Sequence, residues 1–135
     1  MRVIIRALLL VLLIALVGAC NLSASLPTPV PTADLPRAEF RFPQNNSTVI
    51  DGTDLAIDIV ARDDSAGIAR IELLVDGTLI NQAAPVESAV VPVFRVTMNW
   101  LAQGIGKHAV ETIAYRLDGT RGDPATIVIE VLPRQ

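Results

Sequence analysis

The sequence contains one Cys, one His, one Lys and only 4% aromatic residues in 135 positions. A single Cys excludes an internal disulfide and any multi-thiolate metal site, and a single His excludes a His-cluster zinc site. Positive charge is scarce too. The formal charge is −3, and without Arg2 and Arg6 the 11 basic residues become 9 against 14 acidic, a net of −5. Such a chain lacks the basic face that neutralises phosphates, so no nucleic-acid partner is expected. No apolar run is long enough for a membrane span. The longest, residues 7–19, has thirteen residues, which at ~1.5 Å rise falls well short of a ~30 Å hydrocarbon core. No Gly-x-Ser-x-Gly elbow surrounds Ser47, Ser65 or Ser88, and Gly104-Ile-Gly106-Lys107 lacks the Walker spacing. His108 therefore has no oriented nucleophile to serve, and we expect it to hold a strand start in place. The chain is not expected to be an enzyme.

What is present begins with an address. Arg2 and Arg6 precede an uninterrupted apolar stretch that ends in small residues, the layout of a secretory signal peptide over residues 1–19. Val17-Gly18-Ala19-Cys20 resembles the bacterial lipobox: an aliphatic residue, two small ones, then Cys. The resemblance implies cleavage before Cys20 and a covalent lipid on its sulfur. Small residues at 18 and 19 suit a chain lying extended in a narrow protease cleft. Multiple acyl chains give stable anchoring where one does not. The expected location is thus a bacterial membrane, facing outside the cytoplasm at the cell surface or in the periplasm. Apart from that lipid no cofactor is expected. An ordinary secretory signal with a chance Cys is the plainer alternative. Asn21 after the Cys resembles the outer-membrane sorting pattern of two-membrane bacteria.

Residues 20–36 carry Pro27, Pro29, Pro31 and Pro36, which block helix and sheet ladder alike. Alternating Pro favours a semi-rigid extended spacer of ~3.1 Å per residue, about 50 Å in all. From residue 37 to 133 the pattern changes to short alternating segments separated by turn signals. Apolar positions alternate over 38–42, 55–61, 71–75, 91–100, 110–115 and 125–131, with shorter pieces at 49–50 and 79–80. Asp51-Gly52, Asp76-Gly77 and Asp118-Gly119 close segments as turns. About seven principal strands and no convincing helix predict an all-β sandwich of two antiparallel sheets. A helix over 66–74, capped by Asp63-Asp64, is the local rival.

Phe42-Pro43, then residues 55–77 with their Ala-x-Asp, Gly-Ile, aliphatic-Glu-Leu and Asp-Gly elements, resemble bacterial immunoglobulin-like domains. Trp100, Gly106-Lys-His108-x-Val110 and Ala114-Tyr115 resemble the late strands of that family. The likeness runs from Arg37 to Leu132 and implies an immunoglobulin-like β-sandwich, used as an appendage or spacer that binds sugars or proteins. The sequence departs at Arg116, where the family usually has an acidic residue, so a turn contact by that carboxylate is in question. The antibody-type Cys-Trp-Cys core is absent.

Candidate contacts follow from position. Arg121-Gly122-Asp123 lies in the loop before the last strand, where related sandwich adhesion modules display the integrin tripeptide, though three residues make a short motif. Tyr115, with Ile113 and Leu74, is expected to face outward as an apolar patch. The connection over 85–92 is a second contact region. Asp63 and Asp64, with Asp118 or Asp58, offer hard oxygen ligands for Ca²⁺, but no EF-hand spacing exists and turn carboxylates ordinarily bond their own backbone. No metal is expected. The resulting expectation is a non-catalytic surface lipoprotein whose partner is an envelope protein or polysaccharide. The alternatives are a structural envelope component assembling through sheet edges and a carbohydrate-binding accessory subunit of an extracellular enzyme.

Overall fold

A computed structural model describes residues 34–86 and 90–135. The expected signal peptide, Cys20 and the tether up to residue 33 lie outside the described residues, as do 87–89 of the 85–92 connection. Among the described residues there are eight strands and no α-helix: β1 (Arg37–Phe42), β2 (Ser47–Ile50), β3 (Thr53–Arg62), β4 (Arg70–Val75), β5 (Thr78–Ala83), β6 (Val93–Ala102), β7 (Gly106–Tyr115) and β8 (Ala125–Leu132). The rival helix over 66–74 does not form. Ile71, Leu73 and Val75 are buried while Glu72 and Leu74 are not, which is the period of two that a strand requires.

The strands form a three-stranded sheet, β1-β3-β6, and a five-stranded sheet, β2-β8-β7-β4-β5. The expected sandwich is present, with two differences. The two shortest segments are full strands, so the number is eight rather than about seven. β2 also runs parallel to β8, with Ser47 opposite Ile129 and Ile50 opposite Leu132. That pairing is invisible to a periodicity argument, because alternation sets which face is buried and not which neighbour is taken.

The core lies between the sheets. Ile57, Ile59 and Ala61 of β3 and Met98, Trp100 and Ala102 of β6 meet Ile71 and Leu73 of β4, Val110 and Ala114 of β7, and Ile129 and Val131 of β8. Asp76 and Gly77 both take positive φ, 50° and 78°, as a tight hairpin turn matched to strand twist demands. The strand directions sort the loops into two groups. The ends of β3 and β7 meet the start of β1 at the joining end, where the chain comes in through Asp34. The β2–β3, β4–β5 and β6–β7 turns and residues 133–135 lie at the far end.

Candidate functional site

At the joining end a buried ion pair closes the sandwich. Arg116 follows β7 and Asp63 follows β3, so the two strands deliver them to the same end. Arg116 donates from Nε to Asp63 Oδ2 at 2.5 Å and from Nη2 to Oδ1 at 3.2 Å. It also donates to Ser65 Oγ at 2.8 Å and lies 3.2 Å from Asp34 Oδ2. Ser65 N–H, Ser65 O–H and Ala66 N–H all donate to Asp63 Oδ1. The Arg116 guanidinium, with these donors adding to it, holds the Asp63 carboxyl far below the usual carboxylate range against the cost of burial. Arg116 thus supplies, at the end of β7, a cation that clasps the opposite sheet.

Of the residues considered for Ca²⁺, this arrangement engages Asp63. Asp63 is engaged with Arg116, Asp64 is exposed beside it, Asp58 sits on the outer face of β3, and Asp118 accepts the Thr120 N–H at 2.9 Å. Among the described residues no group of three His, Cys, Asp or Glu is placed to hold a metal ion.

Arg121, Gly122 and Asp123 lie at the same end, laid along the sandwich rather than raised at a hairpin tip. Arg121 bridges to Tyr115 and Asp123 bridges to Arg37. Gly122 is buried and donates its N–H to the Ala114 carbonyl at 2.9 Å. A Cβ at position 122 would stand 2.0 Å from the Pro36 carbonyl oxygen, so the glycine serves a close backbone approach. Leu117 to Gly119, Arg121, Asp123 and Pro124 are the exposed residues of the loop.

The expected outward apolar patch is not free. Ile113 is 2% exposed, and Tyr115 and Leu74 are only half-exposed. On this face Arg70 forms an ion pair with Glu72, the register partner of Ile113, and lies 3.8 Å above the Tyr115 ring. A guanidinium over an aromatic face is itself attractive, so the ring already has a partner.

The far end carries a feature not singled out from sequence. Val75, Asp76, Thr78, Ile80, Trp100, Leu101, Gln103 and His108 line an open depression of about 460 Å³ between the edges of the two sheets. β5 carries a bulge beside it: Leu73 pairs with Asn81 but Leu74 pairs with Leu79, so Ile80 is the extra residue. Ile80, two residues from Thr78, lies with Thr78 and Val75 in the lining. Trp100 forms the floor at 6% exposure, while Leu101 and Ile80 stand half-exposed at the rim and Ile105 is 70% exposed on the neighbouring turn. The uncharged run of β5 and the outward Leu101 at the end of β6 are the sequence signals that mark this end.

His108 supports the wall. Its Nδ1 is 2.7 Å from Asp76 Oδ2 and its Nε2 is 2.7 Å from the Gly104 carbonyl oxygen. The ring packs edge-on to Trp100 with centroids 5.6 Å apart. Two acceptors facing two ring nitrogens favour the doubly protonated imidazolium, which donates to both. The Gly104 carbonyl first and the Asp76 carboxylate second raise the His108 pKa, and His108 with the Ala109 N–H lowers that of Asp76. Held in this way, His108 ties the β6–β7 turn to the β4–β5 hairpin.

Comparison with known proteins identifies the architecture. The fibronectin(III)-like modules of Clostridium thermocellum CbhA superpose with a TM-score of 0.62 at 25% identity, covering 73% of this chain and 100% of that chain. The SrpA adhesin of Streptococcus sanguinis shares the fold at TM-score 0.51 and 16% identity, covering 74% of this chain and 58% of that one. A PKD domain of an M14-like peptidase from a Thermoplasmatales archaeon does so at 0.50 and 14%, covering 74% and 94%. No curated protein matches. Residues 36–111 match the bacterial Ig domain family. This run holds the clasp residue Asp63, the Asp-Gly hairpin, Trp100 and His108, and the chain belongs to the bacterial Ig domain family.

Proposed function

We propose that the chain is a non-catalytic interaction module, exported and tethered to a bacterial membrane through a lipid on Cys20, which binds an envelope protein at its far end. Residues 1–19 act as the signal, and residues 20–36 as the spacer that lifts the sandwich from the lipid surface. One observation carries this reading. Asp34 joins the sandwich at the clasped end, whereas the open depression with the apolar rim of Ile80 and Leu101 lies at the opposite end, next to exposed Ile105. An apolar rim beside a shielded aromatic floor suits a protein contact, because such contacts concentrate on apolar and aromatic anchors in pockets.

Photo-crosslinking in intact cells tests it. A crosslinker at Ile105 should give one dominant protein adduct, and one at Leu117 of the clasped end should not. An adduct from Leu117 alone would overturn the assignment of the far end. A second reading, assembly of copies through sheet edges, draws support from β5, an exposed edge strand of six residues without a charge. The bulge at Ile80 interrupts its ladder and weighs against that reading. Sedimentation of the purified chain distinguishes the two.

A further inference from the structure

The outer face of the three-stranded sheet brings three arginines from three strands together around one valine. Arg37 of β1 is the direct register partner of Arg62 of β3. Val60, two residues before Arg62 on the same face, has Glu39 opposite it on β1 and Arg95 opposite it on β6. Val60 is 1% exposed yet stands outside the main core, at the base of a depression of about 250 Å³ lined by Arg37, Ala38, Glu39, Val60 and Arg62. Like charges directly across an antiparallel pair destabilise it. Here the pair sits in a domain with more acidic than basic residues, where a carboxylate on one strand would remove the repulsion.

Few of the domain's carboxylates pair with those charges: Asp123 is bridged to Arg37 through the backbone but, among the described residues, forms no ion pair with it. Among the described residues Arg37 and Arg95 form no ion pair, and Glu39 is 3.9 Å from both Arg62 and Arg41, too far for a hydrogen bond. An adjoining depression brings Asp34, Asp63 and Asp64 near Arg37 and Arg62, but Asp34 and Asp63 are both held by Arg116. A local arrangement that costs stability and that packing does not require marks a place where function sets the sequence.

We propose that this face binds an acidic polysaccharide, with its carboxylate groups received by Arg37 and Arg62 and its sugar rings passing over Val60 toward Arg95. A guanidinium matches a carboxylate with two parallel hydrogen bonds. The open sheet face admits a polymer lying across it. Glu39 and Asp64 disfavour a densely charged phosphate chain and favour single charges spaced along the polymer. The surface lies at the joining end, apart from the Trp100 depression, so the two bindings are independent.

The test uses the purified full chain in detergent, with polygalacturonate as the probe in affinity electrophoresis. The wild type should be retarded by polygalacturonate and not by neutral dextran, less so as salt rises. The Arg37→Gln, Arg62→Gln double variant should bind at least about tenfold more weakly, while its melting temperature stays level or rises because the like-charge pair is gone. Leu101→Asp, at the rim of the Trp100 depression, should leave this binding unchanged while removing the adduct formed from a crosslinker at Ile105, which separates failure here from failure of the far-end contact. No retardation of the wild type, equal retardation of the double variant, or binding to anionic vesicles alone would each overturn the proposal.

Discussion

Arg116 reaches Asp63 through two hydrogen bonds, Nε to Oδ2 at 2.5 Å and Nη2 to Oδ1 at 3.2 Å, across 53 residues of sequence. The pair ties the end of β7 in one sheet to the end of β3 in the other, and through Asp34 it holds the incoming chain. An ion pair this enclosed owes its effect to what is left when one member goes: a buried charge without its partner. We therefore predict that Arg116→Ala lowers the melting temperature by several degrees, whereas Arg121→Ala changes it little. Arg116→Lys keeps the charge but loses the two-point fork and should fall between them. Thermal melts of the three variants check this ordering. A melting temperature for Arg116→Ala equal to that of Arg121→Ala would mean that the clasp contributes nothing.

The sandwich was legible because its determinants are local. Alternation in β3 and β6 assigns Ile57, Ile59, Met98 and Trp100 to the core, and Asp76-Gly77 announces its hairpin. The clasp was not legible, since Arg116 and Asp63 meet only once both sheets are assembled. The same holds for Tyr115. Its alternation places it outward correctly, but nothing local says that Arg70 covers its ring. The β5 bulge at Ile80, beside the far-end depression, was not legible either, because a single extra residue leaves no trace in a period-two pattern.

Gly122 gives a prediction that separates packing from recognition. A methyl group there would meet the Pro36 carbonyl oxygen at 2.0 Å and the Ala114 carbonyl oxygen at 3.3 Å, both fixed backbone. Gly122→Ala should destabilise the domain by about 2 kcal/mol or more, a fall in melting temperature on the order of 10 °C. Arg121→Ala and Asp123→Ala, whose side chains are exposed, should stay within about 0.5 kcal/mol of wild type. Denaturant unfolding of the three proteins measures the contrast. Equal effects at all three positions would show that the tripeptide's glycine has no packing role.

Anchoring is tested at Cys20, beyond the described residues. Cys20→Ser removes the only thiol in the chain and with it the sulfur that would carry lipid. The variant should be found unprocessed or released, with no incorporation of labelled fatty acid, while the wild type partitions with membranes. Normal processing and membrane fractionation of Cys20→Ser would exclude the lipid anchor.

The Asp76–His108 pair predicts a pH dependence whose direction follows from the two shifts. The pKa of His108 is raised from the ordinary 6.5 by the Gly104 carbonyl and the Asp76 carboxylate. Its contribution to stability is therefore complete below pH 6.5 and is lost as pH rises through the raised value. The pKa of Asp76 is lowered from the ordinary 3.8, chiefly by His108. Its contribution is complete above pH 3.8 and is lost as pH falls through the lowered value. The pair thus stabilises the far end most between pH 3.8 and 6.5. Asp76 is half-exposed, which limits the size of the effect to about 5 °C in melting temperature. His108→Gln also removes the edge-on contact with Trp100, but that loss does not vary with pH. The difference in melting temperature between wild type and His108→Gln should accordingly be largest near pH 5.5 and shrink toward pH 9. A difference that stays constant over this range would show that the imidazolium form has no part in holding the β6–β7 turn against the β4–β5 hairpin.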